Sequence, residues 1–223
     1  KPIPSTGEVI PAIGMGTWVT FNIGDDAVAR AQRTEVLRTF FAQGGGMIDS
    51  SPMYGSAEAV IGQALAQLGP TPGLFSATKV WTSSGDDGPD EIETSRRLWG
   101  IERFDLLQVH NLLAWERHLE TLFDMKERGE LRYVGITTSH GRRHAELLQV
   151  MRDWPIDFVQ ATYNILDRDV EREILPLAAE RGIARVRVPR PTRASVRNLA
   201  IRRLADRLAR HVDEAGLRRT DRF

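Results

Sequence analysis

The sequence predicts an α/β fold in which strands and helices alternate. Three observations carry this prediction: short apolar runs bounded by turn residues, amphipathic stretches between those runs, and glycines where the stretches stop. Strict alternation implies a parallel sheet with right-handed crossovers. Two architectures compete, an open doubly wound sheet and a closed (β/α)8 barrel of the TIM type. Because no glycine-rich phosphate-binding turn is present and polar residues follow several consecutive strands, we favour the barrel.

The elements can be assigned in chain order. Residues 5–14 hold two short apolar stretches around turn residues and predict a small N-terminal hairpin. Ser56 is a candidate cap for the second helix, and Gly69, Gly100 and Gly129 are candidate stops for the second, third and fourth helices. The predicted strands cover residues 47–49, 74–79, 105–109, 133–136, 157–161 and 183–188. The predicted helices lie around residues 36–41, after residue 56, near 90–99, around 119–123, around 147–151 and at 170–181.

The pattern changes after residue 188. Apolar residues from Val196 to Val212 follow approximate helical spacing with arginines among them, and no eighth apolar strand is recognisable. We therefore expect the seventh and eighth units of the barrel to be atypical or incomplete. A missing stave exposes two sheet edges. Three alternatives follow: the tail fills the gap, a partner chain in an oligomer fills it, or the gap stays empty.

Charge divides the chain into two unlike parts. The 30 basic and 30 acidic residues balance overall, but residues 185–223 hold 12 basic and 4 acidic residues, a net of +8, and residues 1–184 a net of −8. We predict one domain over residues 1–223, with an Arg-rich tail at 185–223. Such a tail suits a nucleic acid or an acidic partner, but a solvated helix face is the stronger default, so no nucleic-acid partner is expected.

Composition excludes several classes of protein. The absence of cysteine rules out disulfides and thiolate chemistry, and no apolar run is long enough to cross a membrane. We expect a cytoplasmic protein. Because the chain starts at Lys1 rather than Met, an exported form stays open.

Four chemically distinct side chains, Asp49, Tyr54, Lys79 and His110, each follow a short apolar run. Singly, each has an ordinary explanation as a helix cap, a packed ring, a solvated charge or a satisfied hydrogen-bonder. Together they are more informative, because the carboxyl ends of neighbouring parallel strands meet at one rim. The sequence therefore predicts an active site at that rim.

The four residue types suit proton transfer to a carbonyl oxygen. A free tyrosine has a pKa of about 10, and a nearby ammonium favours the phenolate. Lys79 can supply that charge, Asp49 can hold Lys79 ionised, and His110 can orient the carbonyl group. None of the four donates hydride, so a reduction requires a borrowed cofactor.

Several motifs resemble the aldo-keto reductase family over roughly residues 5–184. Residues 14–18 are similar to the family's opening Gly-x-Gly-Thr-Trp, and residues 46–58 to its Asp-to-Tyr signature. The other matching stretches are residues 78–81, 107–110 and 129–136, and Val159-Gln160 with Asn164.

The resemblance implies reduction of an aldehyde or ketone, or the reverse oxidation, with NADPH or alternatively NADH. It implies Tyr54 as proton donor, Lys79 and Asp49 as its activators, and His110 as the carbonyl-orienting group. It also implies, without any metal, a substrate mouth lined by Trp18 and Trp81 and a nicotinamide site formed by Thr17, Asp49, Thr137, Thr138 and Gln160.

The sequence departs from the family after residue 184. Residues 185–191 offer no aromatic side chain to stack on a nicotinamide, and the usual eighth-strand segment that binds the cofactor phosphates is missing, although the arginines suit phosphate. One alternative is therefore a non-catalytic barrel with impaired cofactor binding. Another is a Schiff-base lyase acting through Lys79.

Overall fold

Seven parallel strands alternating with six α-helices build the part of the chain that the computed structural model describes, residues 1–139, 141–165 and 167–188. The strands are β1 Met15–Gly16, β2 Met47–Asp49, β3 Phe75–Val80, β4 Phe104–Val109, β5 Leu131–Thr137, β6 Phe158–Thr162 and β7 Ala184–Val188. The helices are α1 Ala27–Ala42, α2 Ala57–Leu68, α3 Gly88–Trp99, α4 Trp115–Glu127, α5 His144–Asp153 and α6 Ile174–Glu180.

Strand order decides between the two candidate architectures. The strands are hydrogen-bonded in chain order from β1 to β7, and every pair is parallel. An open doubly wound sheet would reverse its order at a switch point, whereas a (β/α)8 barrel keeps chain order. The predicted barrel-type fold is confirmed. The predictions for residues 189–223 lie outside the described residues.

The N-terminal hairpin is present but shorter than predicted and shifted to residues 1–10. A single antiparallel bridge joins Pro2 to Val9, and Gly7 turns the chain at φ +76°. Pro2 and Pro4 have no N–H groups to donate, which prevents a longer ladder. Ile3, 1% exposed, packs with Phe75 in the apolar cluster inside the sheet.

The predicted helix at 170–181 is wrong as one continuous element. A 3₁₀ turn at Asp169–Glu171 comes first, and α6 then begins at Ile174. Pro176 explains the break, because inside a longer helix its ring would clash with the carbonyl of Arg172. By starting at Ile174, α6 places the proline in its first turn, where the missing N–H is tolerated.

Ser56 does not cap α2, contrary to the prediction. Its hydroxyl instead accepts hydrogen bonds from the backbone N–H groups of Ile23 and Gly24, at 3.0 and 2.8 Å. Asn22 Oδ1 in turn accepts from Ser56 N at 3.1 Å. These bonds tie the start of α2 to the loop before α1 and fix the turn that contains Tyr54.

Successive side chains along each strand point to opposite faces of the sheet, so the core is divided into two layers. On β3, Phe75 and Ala77 belong to the apolar cluster inside the sheet, and Lys79 continues the same face. Thr78 faces the other way and donates a hydrogen bond to the buried Glu58 of α2. Within the described residues no helix is both long and apolar enough to span a membrane.

Candidate active site

Asp49, the last residue of β2, collects the polar groups at the carboxyl ends of the strands. Lys79 Nζ donates to both of its carboxylate oxygens at 2.8 Å and to the carbonyl oxygen of Ser50 at 2.6 Å. The side-chain amides of Gln108 and Gln160 donate to the same carboxylate at 3.0 and 3.3 Å. Strands β2, β3, β4 and β6 therefore converge on one carboxylate.

Burial and hydrogen bonding fix the positions of the two charged groups in this ion pair. Lys79 is 1% exposed, and the Asp49 side chain is 15% exposed. A buried ammonium is tolerated only when it is paired and its protons are hydrogen-bonded. Both conditions hold here, so the amino group of Lys79 is fixed in place.

Tyr54 lies directly beside this pair. Lys79 Nζ is 5.4 Å from the centroid of the phenol ring, and Tyr54 is only 8% exposed. The ring is set by the short 3₁₀ helix Pro52–Tyr54 and by Gly55 after it, at φ +59°. A Cβ at Gly55 would lie 2.4 Å from Asn22 Oδ1, so only glycine fits this turn.

His110 and the two predicted tryptophans surround Tyr54. The His110 ring centroid is 5.9 Å from that of Tyr54, with the rings nearly perpendicular. Trp81 lies 6.5 Å from His110, and Trp18 lies 6.4 Å from Tyr54 between ring centroids. Trp18 and Trp81 are 44% and 40% exposed, so both rings are partly open to solvent. The structure thus brings all four predicted polar residues and both tryptophans together.

The loop after His110 has an unusual backbone that Arg143 holds in place. Asn111 and Leu112 have φ values of 54° and 55° without being glycine. The Arg143 guanidinium donates to their carbonyl oxygens at 2.8 and 2.7 Å. Each such residue costs on the order of 1–3 kcal/mol. Arg143 therefore stabilises a strained loop next to His110, and no sequence pattern links residues so far apart.

Of the other residues predicted to hold the nicotinamide, Thr17 and Gln160 are bonded directly to Asp49. Thr17 donates from Oγ1 to the backbone oxygen of Asp49 at 3.0 Å, and Thr138 N donates to the carbonyl oxygen of Gln160 at 3.0 Å. Thr137 Oγ1 instead accepts from Asn111 N at 2.9 Å, which assigns part of its hydrogen-bonding capacity to the loop.

One of these residues has spare hydrogen-bonding capacity that suits a bound carboxamide. The Thr138 hydroxyl is buried and has no hydrogen-bond partner among the residues that the structure describes. Buried polar groups normally find a partner, so an orphan hydroxyl points to a group supplied from outside. Together with the Gln160 amide, which can both donate and accept, it fits the nicotinamide end of a dinucleotide.

Gln108 and Ser51 are two contributors that sequence reasoning missed. Gln108 lies two residues before His110, and a buried polar residue in an apolar strand was an available signal. Gly135 on the neighbouring strand leaves room for it, because a Cβ there would lie 3.0 Å from Gln108 Cγ. Ser51 gives no such signal, since a serine before a helical turn is expected to cap it. Its hydroxyl instead lies 2.9 Å from His110 Nδ1.

A carboxyl group supports the backbone beneath Trp81. Trp81 N donates to Glu91 Oε2 at 2.5 Å. Burial raises the pKa of Glu91, and the hydrogen bond from Trp81 opposes that shift. The backbone of Trp81 is therefore held by Glu91, while its indole ring stays partly exposed.

The family model and the related sequences that match this chain agree on one family. The model of the Aldo/keto reductase family matches residues 12–192. A methylglyoxal reductase of Escherichia coli strain K12 is 29% identical, with 79% of this chain and 63% of that protein covered. An NADH-specific methylglyoxal reductase of the same strain is 26% identical, with 82% and 64% covered. The chain thus spans slightly under two thirds of the length of these relatives.

Solved structures agree in fold. A thermostable aldo-keto reductase in complex with the inhibitor epalrestat superposes with a TM-score of 0.73 at 27% identity, covering 94% of this chain and 80% of that one. An aldo/keto reductase from Klebsiella pneumoniae in complex with NADP and acetate gives a TM-score of 0.68 at 24% identity, covering 80% and 64%. The second likeness supports the barrel fold alone.

Proposed function

Because the chain belongs to the aldo/keto reductase family, we propose that it reduces a small aldehyde or ketone with hydride from a nicotinamide cofactor, with NADPH as first choice. One observation carries the proposal: the buried Lys79–Asp49 pair lies against the Tyr54 ring, and the His110 ring lies 5.9 Å from the same ring between centroids. This grouping serves no need of the barrel core, since buried charges are costly.

Each of the four side chains then has a distinct task. The Tyr54 hydroxyl gives its proton to the carbonyl oxygen as general acid. The Lys79 ammonium stabilises the phenolate that remains, and Asp49 keeps that ammonium charged and oriented. His110 donates a hydrogen bond to the same carbonyl oxygen and fixes its direction.

The cofactor supplies the hydride when it is bound. Thr17, Asp49, Thr137, Thr138 and Gln160 are the proposed contacts of its nicotinamide end. The orphan hydroxyl of Thr138 and the amide of Gln160 support this choice, because a carboxamide both donates and accepts hydrogen bonds. Since one relative is NADH-specific, NADH is the second candidate.

The substrate class is proposed from the mouth and from the relatives. Trp18 and Trp81 offer broad, partly exposed aromatic surfaces, which favour a compound with an apolar side facing them. Two relatives are named methylglyoxal reductases, so small α-oxoaldehydes are the first substrates to test. Cytoplasmic location and assembly through the sheet edge stay predictions.

The Schiff-base alternative loses support from the geometry. All three protons of the Lys79 ammonium point to acceptors, two on Asp49 and one on the Ser50 carbonyl. A lysine nucleophile must lose a proton and present a lone pair. The surroundings of Lys79 favour the charged form instead.

The test is a coupled binding and turnover experiment. NADPH and NADH are titrated into the chain by fluorescence, and cofactor oxidation is then followed with methylglyoxal and a panel of other aldehydes and ketones. Tyr54→Phe should lower kcat by about 100-fold or more. Tyr133→Phe is the matched control, since that ring packs in the apolar cluster that includes Phe75 and its hydroxyl bonds to Thr6 Oγ1 at 2.8 Å and to Glu8 Oε2 at 2.5 Å.

The outcomes separate the remaining alternatives. Turnover that depends on Tyr54 but not on Tyr133 supports the reductase. Cofactor binding without turnover of any compound contradicts it. If the chain binds neither NADPH nor NADH, the result favours the non-catalytic barrel with impaired cofactor binding.

A further inference from the structure

Ser51 is bonded to the ring of His110 although the two are far apart in the chain. Ser51 Oγ lies 2.9 Å from His110 Nδ1, although the two residues are 59 positions apart in sequence. Ser51 is fully buried, and His110 is 7% exposed. The contact therefore lies inside the protein, away from competing water.

Ser51 occupies a position where a serine would ordinarily do something else. It immediately precedes the 3₁₀ helix Pro52–Tyr54, yet its side chain makes no capping hydrogen bond. Its backbone carbonyl accepts from Tyr54 N at 2.9 Å, so the residue is bonded to the backbone of Tyr54 as well as to the His110 ring. The hydroxyl is thus committed to His110 rather than to the local turn.

Hydrogen-bond accounting fixes the direction of this contact. In the part of the chain that the structure describes, His110 Nδ1 is the one hydrogen-bond partner of the Ser51 hydroxyl. If Nδ1 carried a proton and donated it, the buried hydroxyl hydrogen would have no acceptor, which is costly. If Ser51 donates, its hydrogen is satisfied and Nδ1 is the acceptor. A neutral imidazole that accepts at Nδ1 carries its proton on Nε2.

We propose that Ser51 is a positioning residue that keeps His110 in the neutral tautomer with the proton on Nε2. The inference deepens the proposed function and rests on it, because the Nε2–H group is the donor that a carbonyl oxygen needs. A ring with the proton on Nδ1 instead would present a lone pair to that oxygen and repel it. Ser51 therefore selects the useful form of His110 without touching the substrate.

The direct test is nitrogen-15 NMR of the histidine side chains in the unliganded protein. The chain has only five histidines, and the His110 signals are assigned by their absence in His110→Asn. The wild type should show Nδ1 unprotonated and Nε2 protonated at neutral pH. Ser51→Ala should shift both nitrogens towards a mixture of tautomers.

The kinetic test uses the same variant beside a matched control. Ser51→Ala should lose about tenfold in kcat/KM, the equivalent of one net hydrogen bond, while its affinity for NADPH is unchanged. Ser76→Ala also removes a buried hydroxyl, one that donates to Asp105 Oδ2 at 3.0 Å at the other end of β3. It should leave kcat/KM and the His110 spectrum as they are in the wild type.

The outcomes distinguish this inference from the proposed function. A proton on Nδ1 in the wild type overturns the tautomer assignment even if the enzyme is active. Wild-type turnover with equal kcat/KM in Ser51→Ala overturns the positioning role alone. If no carbonyl compound is reduced by the wild type, the reductase proposal fails, and the spectrum still decides the tautomer.

Discussion

Removing one member of the buried Lys79–Asp49 pair is the perturbation whose size the structure defines best. Asp49→Asn keeps the shape of the side chain but removes its charge, and Lys79→Met removes the ammonium. Breaking a buried pair lowers the stability by about 3–5 kcal/mol, because an uncompensated charge is left behind. The double variant leaves no such charge.

The surroundings of the pair place the expected values at the low end. Asp49 retains 15% exposure, and in Asp49→Asn the ammonium keeps the Ser50 carbonyl and an amide oxygen as acceptors. We expect Asp49→Asn to lower the free energy of unfolding by about 3 kcal/mol. For Lys79→Met we expect about 2–3 kcal/mol, since Gln108 and Gln160 still donate to the carboxylate. The double variant should lose at least about 1 kcal/mol less than the sum of the two.

Urea unfolding of the four proteins, followed by circular dichroism at one pH and salt concentration, measures these differences. Singles within about 0.5 kcal/mol of the wild type would mean that the pair is solvated rather than buried. Additive losses would show that the two groups do not interact. Either result would refute the reasoning from burial and contact geometry.

Four further changes are predicted. Glu58→Gln should lower the free energy of unfolding in urea by about 1–3 kcal/mol. The Glu58 carboxylate accepts hydrogen bonds from Thr78, Ser95 and Trp99, and in the variant an amide N–H group would face one of these donors. Burial raises the pKa of Glu91 above its ordinary 4.5, so wild-type stability should fall as pH rises from that value through the raised pKa. Glu91→Gln should therefore gain stability relative to the wild type above that window and not below it; equal pH profiles would contradict this. Gly55→Ala should cost more than about 1 kcal/mol and lower kcat, because the turn before α2 has φ +59° and no space for a Cβ. Arg143→Ala frees the strained carbonyls after His110 and should reduce kcat/KM about tenfold with cofactor affinity unchanged; an unchanged kcat/KM would show that the loop holds itself.

Sequence reasoning worked where one strong signal dominated. The strand predicted at 47–49 is observed with the same bounds, and the others start or end within about two residues, because continuous apolar runs are buried on both faces of the sheet. β1 gave no such signal, since Met15–Gly16 is two residues long and half glycine. The helix at 170–181 was predicted from periodicity, and Pro176 overrode it.

The site divides in the same way. Asp49, Tyr54, Lys79 and His110 could be predicted because each is a polar residue at the end of a buried strand or just after it. Ser51 and Arg143 could not, because their tasks are contacts across 59 and 31–32 residues that no local pattern encodes. Ser56 illustrates the reverse case, where a good local pattern lost to two backbone donors from another loop.

The most direct test of the central claim is a crystal structure of this chain with NADPH and an unreactive carbonyl or carboxylate compound. The proposed mechanism predicts one ligand oxygen within hydrogen-bonding reach, about 2.6–3.2 Å, of both the Tyr54 hydroxyl and His110 Nε2. It also predicts Lys79 Nζ still bound to Asp49. A ligand oxygen bound elsewhere, or a Tyr54 hydroxyl turned away from Lys79, would contradict the mechanism.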